Sequence, residues 1–241
     1  MNFRHSWIIA AKDLKGIRRR KTILYTIILL PLLLSLLFGY VIQYALSTAP
    51  DIHISDLATL LDAFAFWFAI VAAIIPSPIA SYSIVGEKVE KSLEPLLATP
   101  VTDGEILLGK SIAAFIPTIL ASYGGAIIYM ALVDNAAGYL YYPNAEIAVI
   151  LLLLTPLIAL LSIELSVITS ARVTDVRSAS QLGGLVFAPF LGIYLAGEIG
   201  AITLDTTTLL VISAIFALLS VVLFFVSTRT FHREEILTKW K

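Results

Sequence analysis

The sequence predicts an all-α integral membrane protein: six transmembrane helices, an amphipathic helix at the N-terminus, and a short helix within a cytoplasmic segment. Three observations predict it. The chain of 241 residues is 59% hydrophobic and 14% charged, whereas soluble domains run near 45–50% apolar and about 25% charged. Six apolar runs approach or exceed the ~20 residues needed to cross a ~30 Å hydrocarbon core. The runs are continuous and lack the two-residue alternation of a membrane barrel strand. One bundle over residues 1–241 is the expected domain organisation.

Residues 1–21 come first. Phe3, Trp7, Ala10, Leu14 and Ile17 recur at three- and four-residue steps, with Ile8 and Ala11 beside them. Arg4, Lys12, Lys15 and Arg18 lie largely off that stripe. This is the pattern of a helix lying in the membrane surface, apolar face down, with its basic residues toward anionic headgroups. The charge-free run that follows is much longer than the ~7–15 residues of a signal-peptide core, so it is expected to be retained as a span.

The six spans are placed at about 23–46, 63–85, 112–133, 147–169, 179–196 and 207–228, the fifth being the shortest. Their orientation follows from charge. All 16 Lys and Arg residues fall in the tails or in the loops after spans two and four. The opposite loops carry only acids: Asp51, Asp56, Asp62, Asp134, Glu146, Glu198 and Asp205. The positive-inside rule then places both termini and residues 86–110 in the cytoplasm of a multi-pass plasma-membrane protein. The chain has no cysteine, which excludes disulfides and thiolate metal sites. His5, His53 and His232 fall in different loops and tails, so no histidine metal cluster is expected, and neither is a nucleic-acid partner.

The segment 86–110, GEKVEKSLEPLLATPVTDGEILLGK, is the longest charged stretch between apolar runs. Glu87 and Lys91 stand at i,i+4, a helical pairing. Pro95 suits the first turn of a second short helix that stops before Pro100. Thr102 and Glu105 form a capping-box pattern ahead of an apolar run, so the third span's helix is expected to begin near Asp103. The same residues contain Gly104 to Ser111 in the spacing G-x-x-x-x-G-K-[ST] of a phosphate-binding loop. Such a loop follows a buried strand. Here a helix cap starts across it, so nucleotide binding is not expected. Lys110 reads instead as an interface anchor whose stem snorkels. Leu93, Leu96 and Leu97 beside Glu87, Glu90 and Glu94 make an apolar patch with a charged rim, suited to docking a soluble partner.

Glu87, Leu93, Glu94, Leu96, Leu97, Ala98, Thr99 and Pro100, followed by Glu105 to Lys110, resemble the first cytoplasmic loop of ABC-2 type transporter permeases. Lys91 and Ser92 stand where that family often has Gly-Thr. The N-terminal helix, the six spans and the 170–181 loop are also similar to the family. The resemblance implies a type V exporter-like fold and a dimer of permeases, the second being another copy of the chain or a paralogue. It also implies a separate ABC ATP-binding subunit that docks on a coupling helix at Glu87, Glu90, Leu93, Glu94, Leu96, Leu97 and Pro100. ATP and magnesium would then sit on that subunit, with no cofactor and no ATPase site in this chain.

Within the spans, Pro76, Pro78 and Pro189 predict kinks. Gly124-Gly125 and Gly183-Gly184 are expected to be close helix-packing points. By the same resemblance spans two and five line the dimer axis, which makes Phe66, Phe68, Phe187 and Phe190 candidate pathway residues. Glu164 lies about six residues, roughly 9 Å, inside span four. It is expected to pair with Arg172 or Arg177, its other reading being an ion-coupling group. The function these features predict is a permease subunit of an ATP-driven transporter, with membrane lipids as its surroundings. The apolar spans lean toward a hydrophobic cargo. An ion-coupled secondary transporter would need paired ionisable groups at mid-membrane, and off-centre Glu164 is the one available. A non-transporting membrane assembly factor would form a dimer without a continuous cavity. No H-E-x-x-H or G-x-S-x-G motif supports an intramembrane enzyme.

Overall fold

A computed structural model of the chain describes residues 3–48, 53–81, 85–87, 101–172, 177–178, 181 and 187–230. The described residues are helical or form turns, with no strand among them. Helix α1 spans Phe3–Arg19 and α2 spans Lys21–Thr48, joined at Arg20. A single 3-10 turn, Ile54–Leu57, leads into α3, Ala58–Ile74, and α4, Pro76–Ser81. Helix α5 is the longest, Asp103–Ala137. Helix α6, Ala145–Val149, passes through a wide π turn, Ile150–Leu154, into α7, Thr155–Arg172. Helices α8, Phe187–Glu198, and α9, Thr206–Thr230, follow.

Five of these stretches are long and apolar enough to cross a membrane: Lys21–Thr48, Ile54–Ala80, Asp103–Ala137, Ala145–Ser170 and Thr206–Val226. The fifth predicted span corresponds to α8. Its 12 residues rise about 18 Å, and residues 179–180 and 182–186 of the predicted span lie outside the described residues. Span two begins nine residues before its predicted start, at Ile54, because Asp56 caps its own turn: the His53 amide donates to Asp56 Oδ2 at 2.9 Å.

The proline pair breaks span two as the sequence predicts. Pro76 and Pro78 have no N–H for the carbonyls of Ala72 and Ile74, and the helix is interrupted at Ile75, between α3 and α4. From α7 the Ser162 hydroxyl donates to the neighbouring Ala73 carbonyl at 2.5 Å. Pro189 is the third residue of α8, and residues 182–186, where its predicted kink would fall, lie outside the described residues. Two carbonyls of the π turn also accept from side-chain hydroxyls, that of Ile150 in addition to the Thr155 amide. The Ile150 carbonyl accepts from the Thr155 hydroxyl at 2.7 Å, and the Leu151 carbonyl from the Tyr123 hydroxyl at 2.7 Å.

Helix α5 is the hub, in contact with α1, α2, α3 and α7. Its neighbours approach closely where side chains are absent. A Cβ at Gly125 would stand 2.7 Å from Pro31 Cβ and 3.0 Å from Phe68 Cε1, and one at Gly39 would stand 2.5 Å from Leu132 Cδ1. Gly124 has nothing within 4 Å of such a Cβ, so only one of the predicted glycine pair is a packing point. Gly183 and Gly184 lie outside the described residues.

The core has two storeys. Near the basic end, Ile9, Ile23, Ile27, Val71, Ile75 and Ile106 pack together. Toward the acidic end, Phe66, Phe68, Tyr129, Tyr142, Ile158 and Phe190 do so. Since Ile23 and Ile106 share the first storey, and Phe38 and Tyr129 the second, α2 and α5 run parallel. Tyr129 and Tyr142 both donate to the Leu61 carbonyl, at 3.0 and 3.3 Å.

Candidate functional site

Residues 88–100 lie outside the described residues, and with them Glu90, Leu93, Glu94, Leu96, Leu97 and Pro100. The positions on either side of that stretch are described, and both are tied to α1. On the first side Glu87 is buried, 8% exposed, and Lys110 of α5 is 2% exposed. The Lys110 ammonium donates to Glu87 Oε2 at 2.7 Å and stands 3.5 Å from Asp13 Oδ2. Lys12 of α1 donates to the other oxygen, Glu87 Oε1, and lies 3.5 Å from Asp13 Oδ1. Among the described residues, two carboxylates and two lysines therefore meet in one cluster. Burial pulls the Lys12 pKa down, but Glu87 and Asp13 more than reverse this, and the result stands above the usual lysine range.

On the second side the predicted capping box is present in full. The Glu105 amide donates to Thr102 Oγ1 at 3.3 Å, and the Thr102 amide donates to Glu105 Oε2 at 3.1 Å. His5 of α1 places Nδ1 3.3 Å from that same carboxylate oxygen. Helix α1 thus touches both ends of the segment.

The fit depends on Gly109. A Cβ there would stand 2.7 Å from the Ser6 carbonyl oxygen and 2.9 Å from Ile9 Cβ. Ser6, Ile9 and Ala10 are buried in this contact. The predicted stripe of α1 therefore divides. Ala10 turns toward α5, while Phe3, Trp7 and Ile8 stay exposed, the first at 64%. That leaves three large apolar groups for the membrane surface. The phosphate-loop spacing is accounted for by the same contacts. Residues 104 to 111 lie inside α5, Gly109 makes room for α1, and Lys110 is spent on Glu87.

Two expectations change here. Lys110 does not snorkel to headgroups: its ammonium is turned inward onto the Glu87 carboxylate at 2.7 Å. Glu87 is not on an exposed rim: two lysines hold it inside. Reasoning from sequence also missed Lys12, Asp13 and Gly109, because the pairings join residues 75 and 23 positions apart.

The candidate pathway residues are packed within the chain. Phe66 and Phe68 are fully buried, against Tyr194 and Tyr129 respectively. Phe190 meets Phe216 edge to face at 5.1 Å, and Phe187 packs against the same cluster. A path along these rings requires the core itself to part.

Glu164 is 9% exposed, and its Oε2 has no hydrogen-bond partner among the described residues. The expected partner Arg177 is exposed, with no ion pair to Glu164 among the described residues, and the side chain of Arg172 is outside them. At the acidic end, Asp134 Oδ1 accepts from the amides of Tyr141 and Tyr142 at 2.9 and 3.0 Å. The Asp205 carboxylate accepts from the hydroxyls of Thr208 and Thr203, which hold its pKa below the usual range.

A search of curated proteins finds no match to the chain. A family model described as an ABC-2 family transporter protein matches residues 7–209. The match takes in most of α1, the whole of 86–110 and the core helices α2 to α8. The chain is a multi-pass transport permease of ABC type, and it belongs to the ABC-2 transporter family.

Proposed function

We infer that the chain is the permease subunit of an ATP-driven exporter that works as a homodimer in the plasma membrane. The termini and residues 86–110 face the cytoplasm, as the one-sided distribution of Lys and Arg supports. Separate ATP-binding subunits, carrying ATP and magnesium, dock on Glu90, Leu93, Glu94, Leu96, Leu97 and Pro100. One observation carries this reading: the docking segment is anchored at both ends, by the Glu87–Lys110 pair and by the Thr102–Glu105 cap. A lever transmits displacement only if its ends are fixed to what must move. Glu87 leads back toward α4 and the break at Ile75, and Thr102 leads directly into α5. Closure of the ATP-binding subunits then moves the two spans that share the core with Phe66, Phe68 and Tyr129.

The reading is tested by Glu94→Lys. Reversing this rim charge is expected to weaken copurification of the ATP-binding subunit by about tenfold or more. It should also lower ATP-dependent transport, while the permease itself still accumulates. Unchanged copurification with unchanged transport overturns it.

A second reading rests on Glu164. A buried carboxylate oxygen without a hydrogen bond marks an ion or proton site in a secondary transporter. In that case Glu164→Gln abolishes transport and removal of the ATPase leaves it intact. The ABC reading expects the reverse: transport lost with the ATPase and largely kept in Glu164→Gln.

A further inference from the structure

We propose that a groove between α2 and α5 is a binding site for one acyl chain of an anionic phospholipid from the leaflet on the basic side of the protein. The groove encloses about 390 Å³ and is lined by apolar groups, among them Ile28, Leu32, Pro117, Leu120, Gly124 and Ile128. Ile28, Leu120, Gly124 and Ile128 are exposed, so the groove opens sideways along two spans. Gly124 makes the hollow, since nothing stands within 4 Å of the Cβ it lacks.

Its length suits one leaflet. Pro117 and Ile128 are eleven residues apart on α5, about 16 Å along a helix axis. Half of a ~30 Å hydrocarbon core is about 15 Å. A second helix, some 10–12 Å across with its side chains, is wider than a slot of this volume. A single hydrocarbon chain is not.

Charge at the mouth selects the headgroup. Lys21 opens α2 and is exposed, and Arg18 and Arg19 close α1 beside it, also exposed. Lys21, Ile28 and Leu32 are seven and eleven residues apart, which puts them on one face of α2. Lys21 stands about 9 Å along the axis before Ile27, the start of the groove. Tyr25 lies between them, 56% exposed, where interfacial aromatics gather. A phosphate held at Lys21 and Arg18 therefore drops its acyl chain along Ile28 and Leu32. Each basic residue near a membrane surface adds attraction for anionic lipid, and the groove adds the apolar contact that turns general attraction into a site. This proposal does not depend on coupling to an ATPase.

The test uses the full chain purified in mild detergent and exchanged into bilayer discs of phosphatidylcholine with phosphatidylglycerol, with retained lipid measured by native mass spectrometry. The wild-type chain is expected to retain phosphatidylglycerol in preference to phosphatidylcholine. Gly124→Leu fills the groove into open space and should remove the retained lipid of either kind. Arg18→Gln with Lys21→Gln should weaken retention of phosphatidylglycerol by about tenfold or more and erase the preference. Equal retention of both lipids by the wild type overturns the proposal, as does retention that survives Gly124→Leu. Conversion of dimer to monomer by Gly124→Leu, with bound lipid unchanged, also overturns it and makes the groove a seam between two copies.

Discussion

Lys110→Met is expected to lower the stability of the chain by about 3–5 kcal/mol, the usual effect of removing one partner from a buried ion pair. The Lys110 side chain is 1% exposed and Glu87 keeps only 10% of its own. Methionine fills the same space, so the loss is electrostatic. Glu87 would remain inside with Lys12, whose side chain is half exposed and whose interaction solvent therefore screens. The double variant Lys110→Met with Glu87→Gln removes the stranded charge and should recover most of the loss. Thermal unfolding in detergent of the two variants and the wild type measures both effects. Equal midpoints for Lys110→Met and wild type would show that the pair contributes nothing.

Gly109→Val is expected to detach α1 from α5. Overpacking in a closed contact costs about 1–3 kcal/mol, and here the obstructing atom is a backbone oxygen, Ser6 O at 2.7 Å, which cannot rotate away. The helix has to shift, and Lys12 and His5 shift with it. Glu87 and Glu105, on either side of residues 88–100, then lose their α1 contacts while the spans stay in place. The measurable result is faster proteolysis within 1–21. On the reading proposed above, there is also a fall in transport at preserved ATP-binding-subunit copurification. Cleavage of 1–21 at the wild-type rate would sink this account of the glycine.

Much of the architecture was legible in the sequence because the bilayer permits so little. Length, apolarity and the distribution of 16 basic residues locate the long helices. Thr102 and Glu105 locate the start of α5 to the residue, since a capping box is a local pattern with a local cause. The interruption at Ile75 follows from Pro76 and Pro78 for the same reason. What was not legible depends on which residues meet across the chain. Nothing in Ile150 to Leu154 announces a π turn, because five apolar side chains fit either helix. Lys110 sits where a lysine ordinarily reaches for headgroups, and the return of Glu87 to its side, with Asp13 of α1 nearby, turns it inward. Gly109 reads as part of a nucleotide motif until Ser6 and Ile9 are seen resting on it. The four phenylalanines lie in a core, and hydropathy alone gives no way to tell a ring facing another helix from one facing lipid or a path.

The Glu87–Lys110 pair has a consequence for how the protein is made. On insertion scales a lone charge at the centre of a helix costs about 2.5–3.5 kcal/mol to place in the membrane, and less toward its end. Glu87 lies just past the end of one span and Lys110 just inside the beginning of the next, so each would resist leaving water alone. Entering together as a hairpin, the two spans bring in opposite charges that cancel. Biogenesis is therefore expected to hold back the first arm at the translocon until the second has been synthesised, releasing both arms into lipid as one unit.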